Sequence, residues 1–182
     1  MNIFALSTGR CGSTTFTASF SHATNYTSGH ESRSKVIGPE HFDYPDQHIE
    51  SDNRLSWLLG SLDKSYGDRA IYVHLFRNKE EVVDSYVKRY SPELINGIMF
   101  GFGHGILTRP RLFTEDKLPA LAGMYVDTVT DNIEKFLSDK SKVVTMDMHH
   151  PISALEKIWE MGGVQGDFDA ARSEWTVKHN RS

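Results

Sequence analysis

The stretch "MNIFALSTGRCGSTTF" (residues 1–16) decides how the rest of the chain is read. Ile3, Phe4, Ala5 and Leu6 form a continuous apolar run, which predicts a short buried strand over residues 2–6. The run cannot continue through residues 7–12, because Gly9 and Gly12 punctuate it and open backbone angles that other residues avoid. Ser13, Thr14 and Thr15 then offer helix-capping side chains, and Phe16 and Phe20, four apart, fall on one helical face. Strand, glycine-bearing turn and helix N-terminus together present unpaired backbone N–H groups and a positive dipole end to an anion. The expected ligand is phosphate-like.

The totals narrow the classes. A length of 182 residues predicts one domain over residues 1–182, long enough to bury a proper core. Twenty basic against 24 acidic residues give a net charge of −4, which argues against nucleic-acid-coating and membrane-surface proteins. Any anion site must therefore be a local cluster of Arg and Lys. The single cysteine, Cys11, excludes an internal disulfide and a thiolate metal cage. The first residues run into a strand with no basic leader and no long apolar segment, so a cytoplasmic protein without a membrane span is the expectation.

Strand and helix signals alternate along the chain. Residues 24–30, "TNYTSGH", predict a polar second strand, and Asp52 is placed to cap a helix through "NRLSWLLGSLDKSY". "AIYVHLF" (residues 70–76) is the clearest strand, β-branched and aromatic throughout. Asn78 with Glu81 three positions on forms a capping-box pattern before a helix whose buried stripe is Val82, Val83, Tyr86, Val87 and Tyr90. Residues 91–117 dissolve into Gly and Pro over a stretch longer than most connections, either a functional lid or a surface loop. Beyond it come a long helix over 118–137, a strand over 142–146, a helix over 152–161 and a polar, basic end, "EWTVKHNRS". The alternation predicts an α/β domain, a mainly parallel sheet flanked by helices.

The first loop lacks the signature of a magnesium-nucleotide loop. That motif needs G-x-x-x-x-G-K-[ST], whereas the glycines here stand three apart and Gly12, not Lys, precedes Ser13. A dinucleotide fingerprint G-x-G-x-x-G is missing too. The one cation in the loop is Arg10, so the chemistry asks for an anion held by backbone amides, hydroxyls and one Arg, without a metal. A second anion-holding pair follows the best strand. Arg77 stands at its C-terminal end, where parallel sheets place ligands, and Ser85 lies eight residues on.

Two anion sites at two strand ends resemble the sulfotransferases that use 3′-phosphoadenosine 5′-phosphosulfate (PAPS). "STGRCGSTTF" is similar to their 5′-phosphosulfate loop, and "VHLFRNKEEVVDSYVKR" to their 3′-phosphate motif, with Arg and Ser at the same separation. "KVVTMDMHHPISALEKIWEMGGV" resembles the family's late strand, linker and helix, and "VKHNRS" the basic tail of its bacterial-type members. The resemblance implies a P-loop-like, nucleotide-kinase-like fold and a sulfuryl transfer to a small-molecule or carbohydrate acceptor, with 3′-phosphoadenosine 5′-phosphate (PAP) released and no metal. It implies that Arg10, Cys11, Gly12, Ser13, Thr14 and Thr15 belong to the 5′ loop, and that Arg77 and Ser85 hold the 3′-phosphate. The chain is shorter than many members, so its acceptor pocket is either open or completed by a second subunit in an oligomer.

Sulfuryl transfer needs in-line positioning and charge stabilisation at the leaving oxygen, a task for Arg10 and the loop amides. It also needs a base for the acceptor hydroxyl. The end of the second strand, "SGHESRS", supplies Glu31, the preferred base because bacterial-type members carry a Glu soon after a Gly in this region; His30 is second and His41 third. Plainer roles stand beside these: Arg77 as a surface ion pair, Ser85 as a helix-face hydroxyl, and His30 or Glu31 as surface residues. Trp57 is either an adenine platform or core, Cys11 a reactive thiol or a small loop residue, and His104, Arg109 and Arg111 acceptor contacts or loop surface. Two other functions remain open, a small P-loop-type kinase and a non-catalytic PAP- or PAPS-binding protein.

Overall fold

In the computed structural model, which describes residues 1–89, 97–107 and 115–177, five parallel strands form one sheet. They are β1 (Ile3–Leu6), β2 (Thr27–His30), β3 (His48–Ser51), β4 (Ile71–Phe76) and β5 (Val143–Asp147), in the spatial order β2-β3-β1-β4-β5. The apolar run of β1 lies at the centre, buried on both sides, with Ile3 paired to Ile49 of β3 and to Ile71 of β4. A strand covered on both faces needs continuous apolarity, which is why "IFAL" reads so clearly.

Seven α-helices are described: α1 (Ser13–Phe20), α2 (Leu59–Tyr66), α3 (Lys79–Arg89), α4 (Gly97–Phe100), α5 (Leu118–Leu137), α6 (Ile152–Gly162) and α7 (Phe168–Ser173). On one face, Phe20 of α1 stacks on Trp159 of α6, which meets Phe168 of α7 edge-on. On the other, Phe4 meets Tyr66 of α2, Tyr72 meets Phe136 of α5, and Tyr86 of α3 meets Tyr125 of α5. Phe4, Phe20, Tyr72 and Tyr125 are fully buried, and truncating Phe4 to Ala is worth about 3–5 kcal/mol of stability. The expected α/β class, with a parallel sheet between helices, is therefore present.

Sheet order places the ligand end. From β1 the chain leaves toward β2 on one side, and from β4 it leaves toward β5 on the other, so the exits of two paired strands diverge. Divergence of this kind opens a crevice at the carboxyl ends of the strands. Residues 7–12 and Arg77 flank it.

Several local expectations need correction. The second strand is confined to β2, and β3 went unread because "HIES" looks like a polar turn; its His48, Glu50 and Ser51 are buried nonetheless. The helix expected from residue 53 is broken at Leu58 into a 3₁₀ segment, Asn53–Trp57, and α2, although Asp52 does cap the former by accepting from the Arg54 N–H at 2.8 Å. Asn78 caps α3 by accepting from the Glu81 N–H at 3.3 Å, but Glu81 does not return the bond, because its carboxylate turns to Arg77 and His149. Of residues 91–117, the described part forms α4 and a π-helical turn, Gly101–Leu107, then a short 3₁₀ segment, Glu115–Lys117. Tyr90, Arg109, Arg111 and the end of the "VKHNRS" tail lie outside the described residues. No described helix is long and apolar enough to cross a membrane.

Candidate anion-binding site

The loop after β1 is held from behind. Ser7 exchanges two hydrogen bonds with Ser56: its N–H donates to Ser56 Oγ at 3.2 Å, and Ser56 Oγ donates to Ser7 O at 3.0 Å. Two buried phenols, Tyr86 of α3 and Tyr125 of α5, both donate to the Thr8 carbonyl, at 2.6 and 2.8 Å. Burial, the largest cause, pushes both phenols above their ordinary range, so they remain donors at any physiological pH. Gly9 (φ 79°) passes so close to Tyr86 that an added Cβ would sit 2.6 Å from the hydroxyl, and Gly12 (φ 87°) takes the left-handed turn into α1. Removing one clamp, Tyr125→Phe, should cost about 1–2 kcal/mol in urea denaturation, since the buried Thr8 carbonyl keeps one of its two donors.

Gly12 is the N-cap of α1 and has no side chain to cap it, and no acidic residue stands in the first turn. The leading N–H groups of a helix have no intrahelical partner, so this end keeps its positive partial charge for a ligand. It borders a cavity of about 930 Å³, which is also lined by Arg10, Ser13, Thr14, Thr15, His30, Glu31, Arg77 and Ser85. Of the residues that the resemblance assigns to the donor site, Cys11 alone does not line it. Its thiol is 1% exposed, beside Thr8 and donating to Gly9 O at 3.2 Å, and burial pushes it above the ordinary thiol range. A buried thiol of raised pKa is inert. Cys11 should accordingly resist a maleimide probe for hours in the folded protein and label within minutes in urea.

Two guanidinium groups, those of Arg10 and Arg77, converge on this end. Arg10, itself at φ 61°, donates from Nε to Ser85 Oγ at 3.0 Å. Burial first, then Arg89 and Arg77, press its pKa below the usual arginine range. Arg77 donates from Nε to Glu81 at 2.5 Å and from Nη1 to the Arg10 carbonyl at 3.5 Å. The two motifs read as separate anion sites are thus neighbours: Ser85, from the second, is bonded to Arg10, from the first. Positive groups gathered this way stabilise an entering anion and repel one another without it.

At the other end of the cavity stand His30 and Glu31. His30 Nε2 lies 2.9 Å from Ser13 Oγ, at the start of α1. Glu31 adopts φ 54°, costing roughly 1 kcal/mol for a residue with a Cβ, and its carboxylate pairs with Arg54 at 2.8 Å. Of the three described non-glycine residues with positive φ, Arg10, Glu31 and Gln47, the first two line this cavity. The same Arg54 nitrogen lies 3.3 Å from Asp52, whose carboxyl is fully buried, has one oxygen without a partner and is pushed upward by that burial. Behind Glu31, the buried Glu50 accepts from Ser32 and bonds His48 at 3.0 Å; burial opposes its charge, but these bonds outweigh it and hold the carboxyl below its ordinary range.

Other expectations fall away from the cavity. Trp57 packs between Phe102 and Tyr125, at 5.6 and 6.0 Å between ring centroids, which is the core role. His41 is bonded to Val36 O at 2.9 Å and does not line the cavity, and His104 lies against Phe100 without lining it. Residues that the sequence did not mark do line it: Asn53, Arg54, Met148, His149 and Trp175. His149 is tied to Glu81 at 2.8 Å, so one carboxylate joins it to Arg77. The "MHH" run after the last strand was the visible trace of this position. Among the described residues, no group of three or more His, Cys, Asp or Glu side chains is placed to hold a metal ion. No family model, no curated protein and no solved structure matches this chain.

Proposed function

We propose that the chain is a sulfotransferase that moves a sulfuryl group from PAPS to a hydroxyl or amine of a small-molecule or carbohydrate acceptor. The observation that carries the reading is the convergence of Arg10 and Arg77 with the glycine-capped start of α1, at a crevice between diverging strands. A cavity of about 930 Å³ is large enough for a nucleotide with room for an acceptor. On this reading the sheet is the nucleotide-kinase-like sulfotransferase fold.

The roles follow from position. The N–H groups at the start of α1, with Ser13, Thr14 and Thr15, bind the 5′-phosphosulfate. Arg10, whose Nε is committed to Ser85, keeps its terminal nitrogens for charge building on the leaving oxygen. Arg77, with Ser85 beside it, binds the 3′-phosphate, and Glu81 orients the Arg77 fork by holding Nε. The acceptor enters at the β2 end, where Glu31 takes the hydroxyl proton and His30, against Ser13, borders the sulfuryl group.

The test is calorimetric titration of the protein with PAP without metal, beside ADP, and ATP with magnesium. Binding of PAP in preference to ADP is the expected result, since the two differ in whether a phosphate reaches Arg77. Binding of ATP with magnesium instead would replace this reading with a kinase. Saturable PAP binding with no transfer to a panel of hydroxyl and amine acceptors would leave a nucleotide-binding protein.

A further inference from the structure

A second cavity, of about 320 Å³, lies between α5 and the β4–β5 side of the sheet. In the register of these strands His74 is opposite Thr145, and both side chains line the cavity. The α5 helix covers β4 but leaves Thr145 exposed. His74 is only 8% exposed, yet among the described residues it makes no hydrogen bond; its one ring neighbour is Phe76, at 6.0 Å between centroids. Burial holds the imidazole below its ordinary range against an opposing pull from Glu134, so the ring is neutral near pH 7 with one nitrogen as an acceptor. No protein donor reaches this acceptor among the described residues, and the ring lines the cavity, where a ligand's donor can meet it.

The rim fixes the sign of what could supply the donor. Asp127, Asp131 and Glu134 descend along α5, facing Arg77 and Lys79. Lys79 is neutralised by Asp127 at 2.7 Å, and Arg77 by Glu81 at 2.5 Å. Asp131 and Glu134 form no ion pair among the described residues, so the rim keeps two uncompensated negative charges. Phe76 and Val126 add an apolar wall.

We propose that this cavity binds a small primary ammonium on a short apolar stem, the ammonium donating to His74 between Asp131 and Glu134 and the stem lying on Phe76 and Val126. An anion is repelled by the two carboxylates, and a neutral alcohol leaves their charge unused. The site is independent of the sulfotransferase reading, although Arg77 lines both cavities.

The probe is n-butylammonium, titrated into the full chain while the His74 ring resonances are followed by NMR and identified by their loss in His74→Gln. Butanoate and n-butanol serve as the anionic and neutral counterparts. A saturable displacement with the ammonium alone is expected. The double variant Asp131→Asn with Glu134→Gln, both at exposed positions that spare the fold, should weaken it about tenfold, the worth of two partly screened charges. A response that never saturates, that is equal in the double variant, or that butanol or butanoate reproduces overturns the proposal.

Discussion

Arg77→Ala will bind PAP about a hundredfold more weakly than the unaltered protein, while its affinity for adenosine 5′-phosphosulfate, which lacks the 3′-phosphate, changes less than about threefold. Arg77 is the fork nearest the end of β4, bonded to Glu81 on one side and to the Arg10 carbonyl on the other. A phosphate dianion facing it forms charge-assisted bonds worth about 2–3 kcal/mol, which the alanine variant loses entirely. Arg77→Lys should recover only part of that loss, because an ammonium has no planar fork to match two phosphate oxygens. Equal losses for both ligands would mean that Arg77 supports the loop through the Arg10 carbonyl and does not read the 3′ position. Isothermal titration calorimetry separates the two outcomes directly.

Glu31→Gln will lower turnover by about a hundred- to a thousandfold with donor affinity unchanged within about twofold, the range for loss of a general base. The glutamine keeps the size and can still accept from Arg54, so the paired geometry survives while the basic oxygen is gone. The left-handed backbone at Glu31 is a strained conformation maintained in the cavity wall, which gives a physical reason to place the chemistry there. His30→Ala is the companion measurement, since its imidazole stands 2.9 Å from Ser13 at the same end. If turnover survives Glu31→Gln and collapses in His30→Ala, the imidazole is the base. Survival in both would remove the β2 end from the mechanism.

Pairing explains why the base is hard to choose from residue type alone. Glu31 shares Arg54 with Asp52, and that guanidinium is held above its usual range by the two carboxylates even though burial works the other way. An acceptor entering at this end of the cavity meets the Glu31 carboxylate already engaged by Arg54, at 2.8 Å. Gly97 and Ile98, at the start of α4, line the same cavity.

Read from its residues alone, the chain revealed the elements whose burial is uniform or whose caps are local. β1 and β4 were legible because strands covered on both faces must be apolar throughout, and α5 because its buried side, from Leu118 through Ala122, Val126 and Val129 to Ile133, keeps helical spacing. The loop of residues 7–12 and the Arg77 and Ser85 pair were legible for a similar reason, since glycine spacing and a strand-end arginine are properties of short segments. β3 was not. Its His48 and Glu50 are buried only because Thr27 and Ser32 bond to them across the sheet, and no local pattern announces partners about twenty residues away. Tertiary structure alone decided that Tyr86 and Tyr125 meet on one carbonyl, that Ser85 bonds to Arg10, and that Cys11 turns inward. It also carried Arg54, His149 and Trp175 to the cavity from three distant segments. Those placements depend on the strand order β2-β3-β1-β4-β5, a property of how the helices pack against the sheet and not of any segment in isolation.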